Sequence, residues 1–304
     1  MKALDAKTRI TLNNILFTTD FSPAAEAALP YALGIAGRYG AKVYGVHVKA
    51  LEMYAAAPPG TWATINEASR VQAQADADRL HSRLQSIPHE VVIGEGDTWE
   101  VVSSLLDEKQ IDLIVLGTRG RTGLGKVVLG SVAEKIFRQA KCPVLTVGPH
   151  LSPDLDRQLQ IREVLYATDF SAEALAAAPF AISLAQENQA RLTLLHVIPP
   201  PATGELVHPE NYVDSTLRLL KNLLPPDAEF WCEPKFAVEY GDPADKILDV
   251  ATAHHADLIV LGVRHLAGPV AVATHLSRPI AHKVVAKAAC PVLTVRGGGP
   301  SSAQ

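Results

Sequence analysis

The residues best suited to chemistry in this 304-residue chain lie in one stretch, GTRGRTGLGKVVLGS, from Gly117 to Ser131. Its glycines let the backbone approach an anion closely and adopt positive φ. Arg119, Arg121 and Lys126 add positive charge. Gly130 and Ser131 stand where a helix is expected to open. A helix N-terminus offers unpaired N–H groups and a partial positive charge, and Ser131 adds a hydroxyl. The chemistry served by this combination is the holding of a polyphosphate.

Two phosphate-loop patterns compete for the stretch. GRTGLGKV, Gly120 to Val127, follows G-x-x-x-x-G-K-[ST] except at its last place, where Val127 has no oxygen for Mg²⁺. It also follows the fourth expected strand rather than the first. The dinucleotide fingerprint is absent after strand one, where the turn reads TTDFSP. The other spacing, G-x2-G-x9-G-[ST], is met by Gly117, Gly120, Gly130 and Ser131. GIAGRYG, Gly34 to Gly40, has three glycines but lies in an expected helix, where helix packing and a C-cap account for it.

The elements that must position these residues are written twice. NILFTTDFSPAAEAALPYALGIAGRYGAKVYGVHV, from Asn14, returns without a gap as EVLYATDFSAEALAAAPFAISLAQENQARLTLLHV, from Glu163. DLIVLG begins at Asp112 and again at Asp257, and CPVLTV at Cys142 and again at Cys290. Repeated blocks in constant order indicate duplication, with residues 1–150 as one domain and 151–304 as the other. In the first copy NILFTT reads as a strand. A helix then opens with Ser22 as N-cap and Pro23 at its first position, and stops at Gly40. AKVYGVHV, HEVVI, DLIVLG and PVLTV read as further strands. NEASRVQAQADADRLHSRLQ, a helix capped by Asp97 or Thr98, and SVAEKIFRQA lie between them. The second copy places helices near Ala172–Glu187, Asn211–Leu223, Ala244–His254 and Pro279–Ala288. Apolar strands separated by helices imply parallel strands covered on both faces, and right-handed crossovers make each copy an α/β, doubly wound domain. In such sheets ligands bind beyond the carboxyl ends of the strands, the edge from which the Gly117 loop departs.

Bulk properties exclude several classes. A formal charge of −4 argues against nonspecific nucleic-acid binding. No apolar run reaches the roughly 18 residues of a membrane span, and MKALDAKTRITLNN lacks the apolar core of a signal peptide, so a cytoplasmic location is expected. Cys142, Cys232 and Cys290 form no CxxC pair, and Cys142 and Cys290 read as packing at strand starts.

TTDFS after strand one, VHV at strand two, the glycine spacing after strand four and CPVLTV at the end together resemble the universal stress protein family. The likeness covers most of both halves, as in a tandem member. It implies a five-stranded parallel sheet per half, in order 3-2-1-4-5, and an ATP site in the first half, occupied by ATP alone or with Mg²⁺. By position, Thr19 and Asp20 would meet the adenosine part, and Val48 would present backbone groups to adenine. Gly117, Arg119 and Gly120 would line the ribose and first phosphate. Gly130, Ser131 and Val132 would hold the outer phosphates. The resemblance further implies a stress-response protein that pairs as a homodimer with protein partners unknown. From the residues themselves, the Asp20 carboxylate at a strand's carboxyl end suits hydroxyl or amino donors, or N-caps the helix that begins at Ser22.

The second copy departs from the pattern. It keeps Thr168, Asp169, Val197 and Gly262, but His265 replaces Gly120, and Arg278 and Pro279 stand at the places of Gly130 and Ser131. Proline has no N–H for a phosphate, so ATP is expected in the first copy alone, with the second as a structural partner or a changed ligand site. His265, His275 and His282 cluster there at spacings that fit no metal motif. His47 and His196 occupy matching places in strand two and read as packing or a strand-end hydrogen bond. No nucleophile–base–acid order or paired carboxylates stand out. Three readings follow: ATP as a regulatory ligand, a nucleotide-free interaction module, or a slow Mg²⁺-dependent ATPase. The irregular stretches Leu51–Ser69 and Ile198–Asn211 follow strand two at the ligand edge and read as connections, lids or partner-facing loops.

Overall fold

The computed structural model describes residues 9–49, 62–118, 129–148, 160–200, 209–226, 232–264 and 280–297. They fall into two compact units. The described residues between 11 and 140 make one, and residues 9–10, 141–148 and those from 160 onward make the other. The expected boundary at residue 150 lies outside the described residues.

The first unit holds β1 (Asn14–Thr18), α1 (Pro23–Tyr39), β2 (Lys42–Lys49), α2 (Trp62–Leu84), β3 (His89–Glu95), α3 (Thr98–Glu108), β4 (Leu113–Gly117) and α4 (Ser131–Gln139). Its strands run in the order β3-β2-β1-β4 and are all parallel. The second unit takes β5 (Val144–Val147), β6 (Glu163–Ala167), α5 (Ala172–Asn188), β7 (Arg191–Ile198), α6 (Pro209–Lys221), β8 (Lys235–Tyr240), α7 (Pro243–Ala253), β9 (Leu258–Val263), α8 (Ile280–Lys287) and β10 (Val292–Arg296). Its order β8-β7-β6-β9-β10 is the expected 3-2-1-4-5, in parallel. β5 adds to β10 antiparallel, and the pair is cross-tied: Thr146 Oγ1 donates to the Val292 carbonyl, and Thr294 Oγ1 to that of Val144. Among the described residues no helix is long and apolar enough to cross a membrane.

The doubly wound α/β fold follows from strands apolar on both faces. Ile15, Leu16 and Phe17 of β1, and Val164, Leu165 and Tyr166 of β6, are at most 2% exposed. α1 and α5 bury alanines on the sheet, so these helices lie close to it. Ser22 caps α1 by accepting from the Ala25 N–H, and Gly40 ends it at φ 70°, the left-handed conformation that favours glycine. A Cβ on Gly37 would meet nothing, so helix packing does not account for that glycine. α2 begins at Trp62 and α6 at Pro209, a few residues before their expected starts. Cys232 and Cys290 are buried and Cys142 half-buried, all as free thiols.

Candidate functional site

The turn after β1 is built by side chains. Thr19 Oγ1 accepts from the Phe21 N–H at 2.9 Å, Asp20 Oδ1 from the Ser22 N–H at 3.0 Å, and Ser22 Oγ from the Ala25 N–H at 3.3 Å. They hold Phe21 at φ 59°, a left-handed conformation that costs a non-glycine residue roughly 1–2 kcal/mol. The second repeat builds the same turn with Thr168, Asp169 and Ser171, and holds Phe170 at φ 60°. Ser22 is thus the N-cap of α1, and Asp20 supports the turn two residues before that cap. Burial pushes the Asp169 carboxyl up, but hydrogen bonds from Ser171 and the nearby Arg264 guanidinium outweigh it and hold the group below its ordinary range.

β2 braces this turn from below. The His47 Nδ1–H donates to the Thr19 carbonyl at 2.7 Å, while His47 Nε2 faces the Asp76 carboxylate of α2 at 3.8 Å. His196 Nδ1–H donates in the same way to the Thr168 carbonyl. Both histidines make a strand-end hydrogen bond, one of the two roles expected of them.

Gly117 ends β4 where α1 crosses it. A Cβ there would lie 2.6 Å from the carbonyl carbon and oxygen of Ala24, and one on Gly262 would lie 2.3 Å from the Glu173 carbonyl oxygen. Both repeats therefore require a glycine for packing at this position.

The third wall is the start of α4. The Gly130 N–H donates to the Thr118 carbonyl at 2.8 Å, which brings the two described ends of the glycine stretch together. Gly130 is the N-cap at φ −62°, ψ 153° and has no side chain to accept from the first turn. Any residue adopts those angles, so positive φ is not what glycine supplies here. It supplies a bare Cα and leaves the first-turn amides without a side-chain acceptor. α3 begins alongside, capped by Asp97 Oδ1, which accepts from the N–H groups of Trp99 and Glu100. Lys135 of α4 reaches Asp97 at 2.9 Å. Its hydrogen bond, then the Glu100 N–H, holds the Asp97 carboxyl below its ordinary range.

A cleft of about 140 Å³ opens between these walls. Thr19, Asp20, Val48, Gly117, Gly130, Ser131 and Val132 all line it. Arg119 and Gly120 lie outside the described residues, as do Arg121 and Lys126. Its lining combines apolar side chains, among them Val46 and Val48 of β2, with the polar Asp20, Thr98 and Ser131. Sequence reasoning missed Thr98 as a lining residue. Its signal was the DTWE start of α3, a second helix that opens at the carboxyl edge. Chemically the cleft offers a flat apolar group one wall and an anion the start of α4. Among its described lining residues Asp20 is the one carboxylate.

In the second repeat α8 begins at Ile280, and residues 265–279, with His265, Arg278 and Pro279, lie outside the described residues. Lys283 of α8 reaches Asp242, the N-cap of α7, at 3.0 Å and Asp245 at 2.8 Å, repeating the Lys135–Asp97 tie.

The sequence pattern of the universal stress protein family matches residues 11–148 and 160–296. A universal stress protein of Methanocaldococcus jannaschii is 32% identical over 136 residues, covering 44% of this chain and 80% of its own. Universal stress protein YxiE of Bacillus subtilis is 33% identical over 143 residues, covering 42% and 93%. Among solved structures, a universal stress protein from Archaeoglobus fulgidus aligns over 95% of this chain and all of its own, with a TM-score of 0.70 at 23% identity. A functionally unknown protein of Pseudomonas aeruginosa aligns over 94% and 92%, at 0.62 and 17%. At those identities the structural likeness speaks for the fold alone.

Proposed function

The chain belongs to the universal stress protein family, and from that premise we propose that its first repeat binds ATP as a regulatory ligand, with the second repeat as its structural partner. One observation carries this reading: seven residues singled out from sequence motifs line a single cleft at the carboxyl ends of β1, β2 and β4. Adenine would lie along Val46 and Val48, with Asp20 toward the ribose hydroxyls. The phosphates would meet the first turn of α4 at Gly130, Ser131 and Val132, with Arg119 and Gly120 completing the loop. Mg²⁺ would accompany the phosphates. The same reading makes the protein a cytoplasmic stress-response regulator that pairs as a homodimer.

Binding to the native state alone raises stability by about 2.7 kcal/mol at a ligand concentration 100 times Kd. Thermal melting with and without Mg·ATP, run beside Gly130→Arg, tests the proposal. A shift in the wild type that vanishes in the variant supports it. No shift, with no nucleotide released on denaturing the protein, overturns it.

A second reading has its own observation. The TDFS turn and Gly117 recur with the same contacts in a repeat that has lost the glycine spacing. Thr19, Asp20 and Gly117 thus serve the fold whether or not a nucleotide binds, and the chain would then be an interaction module. Gly130 and Ser131 discriminate between the two readings. Steady Mg²⁺-dependent turnover in the same assay would instead mark a slow ATPase.

A further inference from the structure

At the other end of the strands from the cleft, two histidines converge. His81 sits in the last turn of α2 and His89 is the first residue of β3. His89 Nε2 and His81 Nδ1 lie 2.8 Å apart, with ring centroids at 4.6 Å and planes tilted by 55°. His89 Nδ1 lies 2.8 Å from the Ile87 carbonyl oxygen. A carbonyl can only accept, so Nδ1 of His89 carries the proton and Nε2 presents a lone pair to His81. An imidazole oriented by a backbone carbonyl in this way is the usual outer support of a metal-binding histidine.

The geometry points to a surface site for a tetragonal divalent transition metal, Cu²⁺ or Ni²⁺, with His81 Nδ1 and His89 Nε2 as adjacent ligands. Two metal–nitrogen bonds of about 2.0–2.1 Å meeting at a right angle place their nitrogens about 2.8–3.0 Å apart, whereas a tetrahedral angle needs about 3.3 Å. The observed 2.8 Å fits the right angle. Neutral imidazole suits both metals. Among the described residues no group of three or more His, Cys, Asp or Glu could hold a metal, so water fills the remaining positions. In the metal-free pair, His81 donates its Nδ1–H to His89 Nε2. On binding, His81 moves that proton to its other ring nitrogen, and no net charge is lost. Both residues stand on regular elements, and His89 is pinned in register opposite Val43 of β2.

The test is titration of the tag-free full-length chain with CuCl₂, without nucleotide, followed by calorimetry and electron paramagnetic resonance. The wild type is expected to fill one site per chain with a tetragonal, nitrogen-ligated Cu²⁺ signal. His81→Ala and His89→Ala should each weaken that site at least tenfold, while His255→Ala leaves it intact. His81 is exposed, so His81→Ala should keep the metal-free melting curve and remains informative if His89→Ala perturbs folding. Wild-type affinity and stoichiometry in His81→Ala would overturn the proposal, as would the absence of a saturable site in the wild type.

Discussion

Gly117 and Ala24 stand closer than any side chain on Gly117 would permit: a Cβ there would lie 2.6 Å from the Ala24 carbonyl oxygen. The contact is backbone and cannot swing aside. Overpacking of this kind costs typically about 1–3 kcal/mol. Gly117→Ala and Gly262→Ala should each lower the midpoint of urea unfolding in the absence of any ligand. Unchanged midpoints would show that the glycine serves a ligand alone.

The turn after β1 separates fold from binding at Asp20. An asparagine offers the same Oδ1 to the Ser22 N–H, so Asp20→Asn should melt close to the wild type. Any loss of nucleotide affinity in that variant then reports the carboxylate's charge. Ser22→Ala removes the α1 cap and should cost about 1 kcal/mol, read from the same denaturation curves. A large stability loss in Asp20→Asn would contradict the turn as described.

Asp97 gives a pH dependence with a definite sign. Its folded carboxyl is held below the ordinary 3.8, first by Lys135. A carboxyl held low contributes stability that is present above its unfolded pKa and lost as pH falls through the lower folded value. Lys135→Met should therefore be less stable than the wild type at neutral pH, and the gap should close below about 3.8. Both groups are exposed, so the gap is small. A gap that persists at the acid end would contradict the assignment.

Burial pushes the Cys290 thiol up to about 12 and that of Cys232 to about 11. The thiolate is the reactive form. In the native chain at neutral pH, a thiol reagent should label the half-buried Cys142 first and the other two only on unfolding. Mass spectrometry of a labelling time course checks this, and early labelling of Cys290 would contradict it.

Local chemistry made much of this molecule legible. Ser22, Pro23 and Gly40 mark the ends of α1 because capping depends on near neighbours. The apolar strands announce a parallel sheet because burial on both faces leaves no polar alternation. Part of what stayed hidden depends on distant partners. Gly117 read as a ligand residue because Ala24, the backbone it must clear, is remote in sequence. The sequence offers Asp97 and Thr98 equally as a cap; the Asp97 carboxylate takes that role by accepting from two amides, and Thr98 lines the cleft. The antiparallel pairing of β5 with β10 joins two copies of CPVLTV, and nothing within either copy encodes it. His81 and His89 meet only because the chain turns between α2 and β3.

The central claim rests on the amides at the start of α4, and Ser131→Pro isolates them. Proline is tolerated at the first helical position, and the extended Gly130 at ψ 153° suits the residue before it. The substitution removes the Ser131 N–H and hydroxyl and installs the residue that the second repeat carries at the matching place. Calorimetric titration of Mg·ATP into wild type and Ser131→Pro is the most direct measurement. The account predicts one nucleotide per wild-type chain and a much weakened or absent site in a variant that melts normally without ligand. No binding to the wild type, two nucleotides per chain, or wild-type affinity in Ser131→Pro would contradict it.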